Sequence, residues 1–267
     1  VDGHAATDGQ FSFTMSAADD ATRAAIAAGQ ITGEGFEADD PNTDDVNEAV
    51  TQVSQATGAI AKDGSQQLTF PTLTFSQVGD YTFEVTENIP ESVPSGWTYD
   101  THTYTVTFRV SDNHSGQLSI ETITEPSETN SPTFTNSYSA DFNYLEGAGG
   151  LVMSKTLNGY SMTQGQFSFT ITGANEASTA KLSPADQSFS NPRGASSGSA
   201  VLWRVFRNMT FDEDDAGQTF TFTVHEVVPE DGAPAGYTYD TQDVTVAIKV
   251  IDKNDGNLYT VTTVTKE

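Results

Sequence analysis

The sequence predicts an all-β fold: two tandem immunoglobulin-like β-sandwiches, with short helices in an insertion of the first. Three observations point there. FSFTM (11–15), YTFEVTEN (81–88) and GWTYDTHTYTVTFRV (96–110) return as FSFTI (167–171), FTFTVHEV (220–227) and GYTYDTQDVTVAIKV (236–250), so one unit is present twice. Apolar and polar residues alternate with period two across short runs punctuated by Gly, Pro, Asn and Asp. Phe167 lies 156 residues after Phe11 but Gly236 lies 140 after Gly96, so the first copy carries the longer loop after its opening strand.

In the first unit, residues 1–139, Gln10–Met15 forms an alternating strand. An insertion at about 17–66 follows, rich in Ala, Asp and Gly. Ala18–Ala28 favours a helix, and Thr43 can cap a second one that puts Val46, Val50 and Val53 on one face. Strand patterning resumes at LTFPTLTF (68–75), DYTFEVTE (80–87), TYTVTFRV (103–110) and QLSIETIT (117–124), and FTNSY (134–138) closes the unit.

The second unit is expected over 140–267, with SADFNYLEGAGG (139–150) as a linker leading into it. Its strands are LVMSKTL (151–157), QFSFTIT (166–172), VLWRVFRNMTF (201–211), QTFTFTVHEV (218–227), DVTVAIKV (243–250) and NLYTVTTV (257–264), with a polar loop up to about Ser199.

Composition excludes several classes. Cysteine is absent, which removes disulfide staples, thiolate metal sites and cysteine nucleophiles. The net charge of −26 repels nucleic acid and anionic membranes, so neither is expected as a partner. The acidic loops 38–45 and 212–215 lack the alternating oxygen-ligand spacing of a calcium loop, so no metal and no cofactor is expected. No apolar run reaches membrane-spanning length. His4, His102, His114 and His225 are scattered without metal-site spacing, and Trp97 and Tyr237 mark a repeated structural corner.

Side chains in a strand alternate faces, and this parity turns polar residues inward. The inward series Phe220, Phe222, Val224 continues to Glu226, and Tyr81, Phe83, Val85 continues to Glu87. LVMSKTL places Lys155 between Met153 and Leu157, and FTNSY places Asn136 between Phe134 and Tyr138. Burial favours the neutral forms of Lys and Glu, and neutral lysine is a nucleophile. An asparagine carboxamide beside a protonated glutamate could then be attacked, the acid bonding the carbonyl oxygen while ammonia leaves. Two other readings stay open from parity alone: polar heads that snorkel to water, or a buried Lys155–Glu226 ion pair without chemistry.

The runs SKTLNGYSMTQGQFSFT (154–170), FTFTVHEV, GYTYD (236–240) and FTNSY resemble the isopeptide-linkage domain of Gram-positive major pilins of the T-antigen type, in a CnaB-like sandwich, twice over nearly the whole chain. The resemblance implies a Lys of the first strand joined to an Asn of the last, with a central-strand Glu as catalyst. Residue by residue, Lys155 matches the nucleophile, Glu87 and Glu226 the catalytic acid, and Asn136 the acceptor. Each unit lacks one partner: Lys62 is the only lysine among residues 1–140, and no FxNxY follows in the second unit. The expectation is therefore an internal fragment of a longer repeat protein, with the C-terminal strand cut short and the cognate partners of Lys155 and Asn136 outside it. Neither bond should form here, and pairing Asn136 with Lys155 across the linker is disfavoured because separate sandwiches have separate cores.

The function implied is a structural stalk or shaft segment of an extracellular, wall-attached surface protein or pilus, stabilised by autocatalytic Lys–Asn bonds. It is not a turnover enzyme, since the chemistry consumes its own residues once. Expected partners are neighbouring repeats of the same protein and other pilin subunits. The alternative is an adhesin that binds a host protein or glycan through the inserted loops.

Overall fold

The computed structural model describes residues 1–40, 49–126 and 131–266. Contacts divide the chain into Val1–Tyr138 and Ser139–Glu267. The first unit contains β1 (Ser12–Ala17), α1 (Asp20–Ala27), β2 (Ile31–Thr32), β3 (Gln52–Ala56), β4 (Thr74–Phe75), β5 (Gly79–Glu87), β6 (Trp97–Thr98), β7 (Thr103–Asp112), β8 (Leu118–Glu125) and β9 (Ser137–Tyr138). Its main sheet is antiparallel in the order β3-β1-β5-β7-β8, with β2–β4 and β6–β9 as small pairs.

The second unit contains β10 (Asp141–Asn143), α2 (Tyr144–Ala148), β11 (Leu151–Thr156), β12 (Ser168–Gly173), α3 (Glu176–Ala180), α4 (Pro184–Gln187), β13 (Ser188–Ser190), β14 (Ala200–Val205), β15 (Thr210–Asp212), β16 (Thr219–Val227), β17 (Val244–Asp252) and β18 (Leu258–Lys266). Its main sheet, β13-β12-β16-β17-β18, repeats the first unit's order strand for strand, and β11–β14 and β10–β15 form separate pairs. Both units are thus all-β, and the two-sandwich architecture stands.

Strand parity dictates the interior. In β5, Tyr81, Phe83 and Val85 are buried, and in β16 Phe220, Phe222 and Val224 are. In the core of the first unit, Met15, Phe83, Val85, Val106 and Val110 pack with Ala25, Ile26, Ile31, Phe36 and Val53. The last five all come from the insertion, which is therefore part of the core. Helix α1 is anchored by Asp19, whose side chain accepts from Thr22 N, and by Thr22 Oγ1, which accepts from Thr82 N of β5.

Several expectations are corrected. The second insertion helix does not hold: Thr43 and Val46 lie outside the described residues, Val50 bridges to Glu37, and Val53 sits in strand β3, where it packs on the sheet. LTFPTLTF is extended only at Thr74–Phe75, because Pro71 removes a ladder donor in its middle. Residues 139–150 are structured in place of a linker: Asn143 caps α2 and Tyr144, 2% exposed, donates or accepts at Thr262 Oγ1. VLWRVFRNMTF splits into β14 and β15, with Phe206 at φ 58° breaking the run. Helices also occur outside the first insertion, since α3 and α4 fill the loop before Ser199.

Candidate functional site

Glu87 ends β5 and Glu226 stands one residue from the end of β16. In register, Glu87 faces Phe13 of β1 and Glu226 faces Phe169 of β12. Beside each glutamate an edge-to-face ring pair recurs: Phe11–Tyr99 at 5.1 Å and 71°, and Phe167–Tyr239 at 5.4 Å and 62°. Both carboxylates are nearly sealed, 7% and 6% exposed. The fold thus builds the same dry pocket twice from the same residue types.

In the first unit the pocket holds the acid and the amide. Asn136, buried, donates from Nδ2 to Glu87 Oε1 at 2.7 Å. The Asp100 N–H donates to Asn136 Oδ1 at 2.7 Å and reaches Glu87 Oε2 at 3.2 Å. Burial pushes the Glu87 carboxyl up to about 7, against the lowering effect of its bonds from Asn136 and the Asp100 N–H and with a small repulsion from Asp100. The same environment pushes the Tyr99 hydroxyl up, by burial first and by Glu87 second.

In the second unit the pocket holds the acid and the amine. Lys155 Nζ donates to both oxygens of Glu226, at 2.6 and 2.7 Å. It also stands 4.4 Å from the centroid of the Phe167 ring, a cation–π contact that holds the head over the pocket. Its side chain is 13% exposed, so the ammonium is largely desolvated. Lys155 arrives there because β11 pairs antiparallel with β14, setting Lys155 opposite Val201. This is an ion pair, the arrangement that parity had left open beside the neutral one.

Parity therefore located all four polar residues, and the structure gathers them two by two. It also shows partners that parity missed. The Asp100 carboxylate accepts from Thr135 N at 2.7 Å, His102 N at 2.9 Å and the His102 ring at 2.5 Å. Burial raises its affinity for a proton, yet the bonds from Thr135, then His102, outweigh that and hold the carboxyl below its ordinary range. Asp240, its counterpart, donates its N–H to Glu226 Oε2 at 3.3 Å. The signal was the repeated G-[WY]-T-Y-D, read only as an aromatic corner.

A groove of about 830 Å³ opens in the first unit, lined among others by Phe13, Met15, Leu68, Phe70, Phe134 and Asn136. In the second unit β11 runs beside β14. Among the described residues no group of acidic and histidine side chains is arranged to hold a metal ion, and no helix is long and apolar enough to cross a membrane. His225, in β16, bonds Asp243 at 2.8 Å on the face opposite Glu226, and His4 packs against Trp97 and Tyr138.

Two β-sandwiches, each with a glutamate sunk beside a lysine or an asparagine, have the make-up of an isopeptide-type domain. The model of the FctA family, Spy0128-like isopeptide containing domain, matches residues 1–139 and 151–267, and the chain belongs to that family. A comparison with curated proteins gave no match. Among solved structures, the chain is similar to the T3.2 major pilin of Streptococcus pyogenes serotype GAS13637, at 17% identity over 96% of this chain and 84% of that one, TM-score 0.25. It is also similar to another Streptococcus pyogenes major pilin, at 14% identity over 96% and 85%, TM-score 0.27. The T-13 major pilin of serotype GAS131465 gives 16% over 96% and 88%, TM-score 0.24. Values this low carry no functional argument by themselves.

Proposed function

We infer that this chain is a shaft segment of a pilus or wall-attached surface protein, built from two isopeptide-type domains over 1–139 and 140–267. The observation that supports it is the twofold pocket: Glu87 bonded to Asn136 in one unit and Glu226 bonded to Lys155 in the other. Together the two halves make up one three-residue device, a lysine and an asparagine meeting at one buried acid.

The chemistry balances without a co-reactant. The lysine yields a proton to the glutamate, its neutral Nζ attacks the asparagine Cγ, and a C–N bond forms. The glutamic acid then delivers its proton to Nδ2, which leaves as ammonia, and takes the second proton from the attached Nζ, which leaves a neutral amide and restores the protonated acid. Fixed proximity in a dry pocket supplies about 7–11 kcal/mol of an otherwise prohibitive barrier. Each pocket turns over once, so the role is structural and the activity is self-directed.

The groove of the first unit is the seat we assign to a strand like β11. Aligning the copies at Phe11 and Phe167 puts Leu157 over Val1 and Lys155 two residues ahead of it. The test is the full chain carrying the β11 sequence LVMSKT in front of Val1. Its intact mass should fall by one ammonia, and with Glu87→Ala it should not. An unchanged mass in the chain with Glu87 intact would overturn the reading. Partners are then neighbouring repeats and other subunits of an extracellular assembly.

A further inference from the structure

Asn136 presents two different ends to its pocket. Its Nδ2 points to Glu87 Oε1 and its Oδ1 to the Asp100 N–H, each at 2.7 Å. A backbone N–H can only donate, so the group facing Asp100 is the carbonyl oxygen, and the group facing Glu87 is the nitrogen that must leave. The sequence expectation had the acid bonding the carbonyl oxygen. The geometry divides the labour differently.

We propose that the Asp100 backbone N–H is the oxyanion donor of the cross-linking reaction in the first unit, and that the Asp100 carboxylate is the positioning group that aims it. This rests on the isopeptide reading of that pocket. When the amine adds to Cγ, negative charge develops on Oδ1, which already lies at hydrogen-bond distance from the N–H. Glu87 is left to carry the proton from the incoming nitrogen to the departing Nδ2. The Asp100 carboxylate fixes the turn from three sides, through Thr135 N, next to Asn136 in the chain, and through His102 N and its ring. Donor and acceptor are thereby pinned to each other by one residue, the N–H holding the amide and the carboxylate holding the segment just before β9 that bears it. The second unit keeps the same N–H, from Asp240, on its own catalytic glutamate at 3.3 Å.

The experiment uses the full chain with LVMSKT ahead of Val1, assembled by ligation under denaturing conditions so that refolding starts the reaction. One version carries the α-hydroxy analogue of aspartate at position 100, which replaces the N–H with an ester oxygen and keeps the side chain. Loss of ammonia is followed by intact mass across the pH range in which Glu87 titrates. The ester version is expected to react about 10²–10³-fold more slowly at every pH. An unchanged rate would overturn the proposal. So would a slowing accounted for wholly by a displaced Glu87 midpoint, since the N–H would then act on Glu87 and not on Asn136. Thermal melting of both versions in the Glu87→Gln background reads the structural cost, and lost stability with an unchanged rate is again the overturning result. If the all-amide chain itself releases no ammonia, the isopeptide reading has failed, and this proposal with it.

Discussion

Sealing a carboxyl among Phe11, Phe13 and Tyr99 makes its proton part of the folded state. Glu87 holds its proton up to about pH 7 when folded, against an ordinary value of 4.5, because burial penalises the charge. The folded chain therefore binds this proton more tightly than the unfolded chain, and the contribution is full below about 4.5 and lost as pH rises through about 7. Comparing urea unfolding of the chain with that of Glu87→Gln should show a difference growing by about 2–3 kcal/mol across that window. A difference independent of pH would show that Glu87 is ionised in the pocket. In the second unit, Lys155→Met leaves Glu226 buried and unpaired, and should cost about 3–5 kcal/mol, while adding Glu226→Gln should recover much of it. Trp203 fluorescence in a Trp97→Phe background follows that unit alone. The four polar residues were legible because strand parity is strict and polar residues on an apolar face stand out. The Asp100 N–H was not, since a backbone donor leaves no mark in a sequence and its aim depends on a turn closing onto the distant Thr135.

Period-two patterning found the long strands of both main sheets, where each residue has a face to answer to. It failed where pairing partners, not patterns, decide: LTFPTLTF alternates well yet ladders only at Thr74–Phe75. The insertion was read as a loop region able to carry binding, but it supplies Ala25, Ile26, Ile31, Phe36 and Val53 to the core of the first unit. The helix expected at Ala18–Ala28 is present as α1, but nothing in its short apolar pattern told that Ala25 and Ile26 dock onto the sheet. Ile26→Ala should accordingly destabilise the first unit by about 2–5 kcal/mol, with the Trp97 signal reporting it in denaturant unfolding. A change under about 0.5 kcal/mol would mean that the insertion is an ornament on the fold. For the same reason, removing 17–66 would unfold the unit and could not serve to test a binding role.

For the whole molecule, a net charge of −26 opposes compaction, and salt should relieve it. Raising the ionic strength from about 0.01 to 0.15 M, where the screening length falls from about 30 to 8 Å, should raise the melting temperature of the chain. A fall would mean that attractive pairs such as Arg109–Asp80 outweigh the repulsion. Duplication made domain number and architecture readable, because each copy vouches for the other's strands. In the first unit the beginning and end of the domain lie side by side: Asp2 bridges Ser137 in parallel, with bonds from Asp2 N to Asn136 O and from Tyr138 N to Asp2 O, each 2.9 Å. A lysine strand leading into Asp2 and joined to Asn136 would turn the domain into a closed covalent ring. Ring closure of that length would remove about 5 kcal/mol worth of freedom from the unfolded chain. A protease that nicked any loop inside the ring would open it without releasing a fragment, so the domain would survive as one piece after damage that severs an ordinary fold.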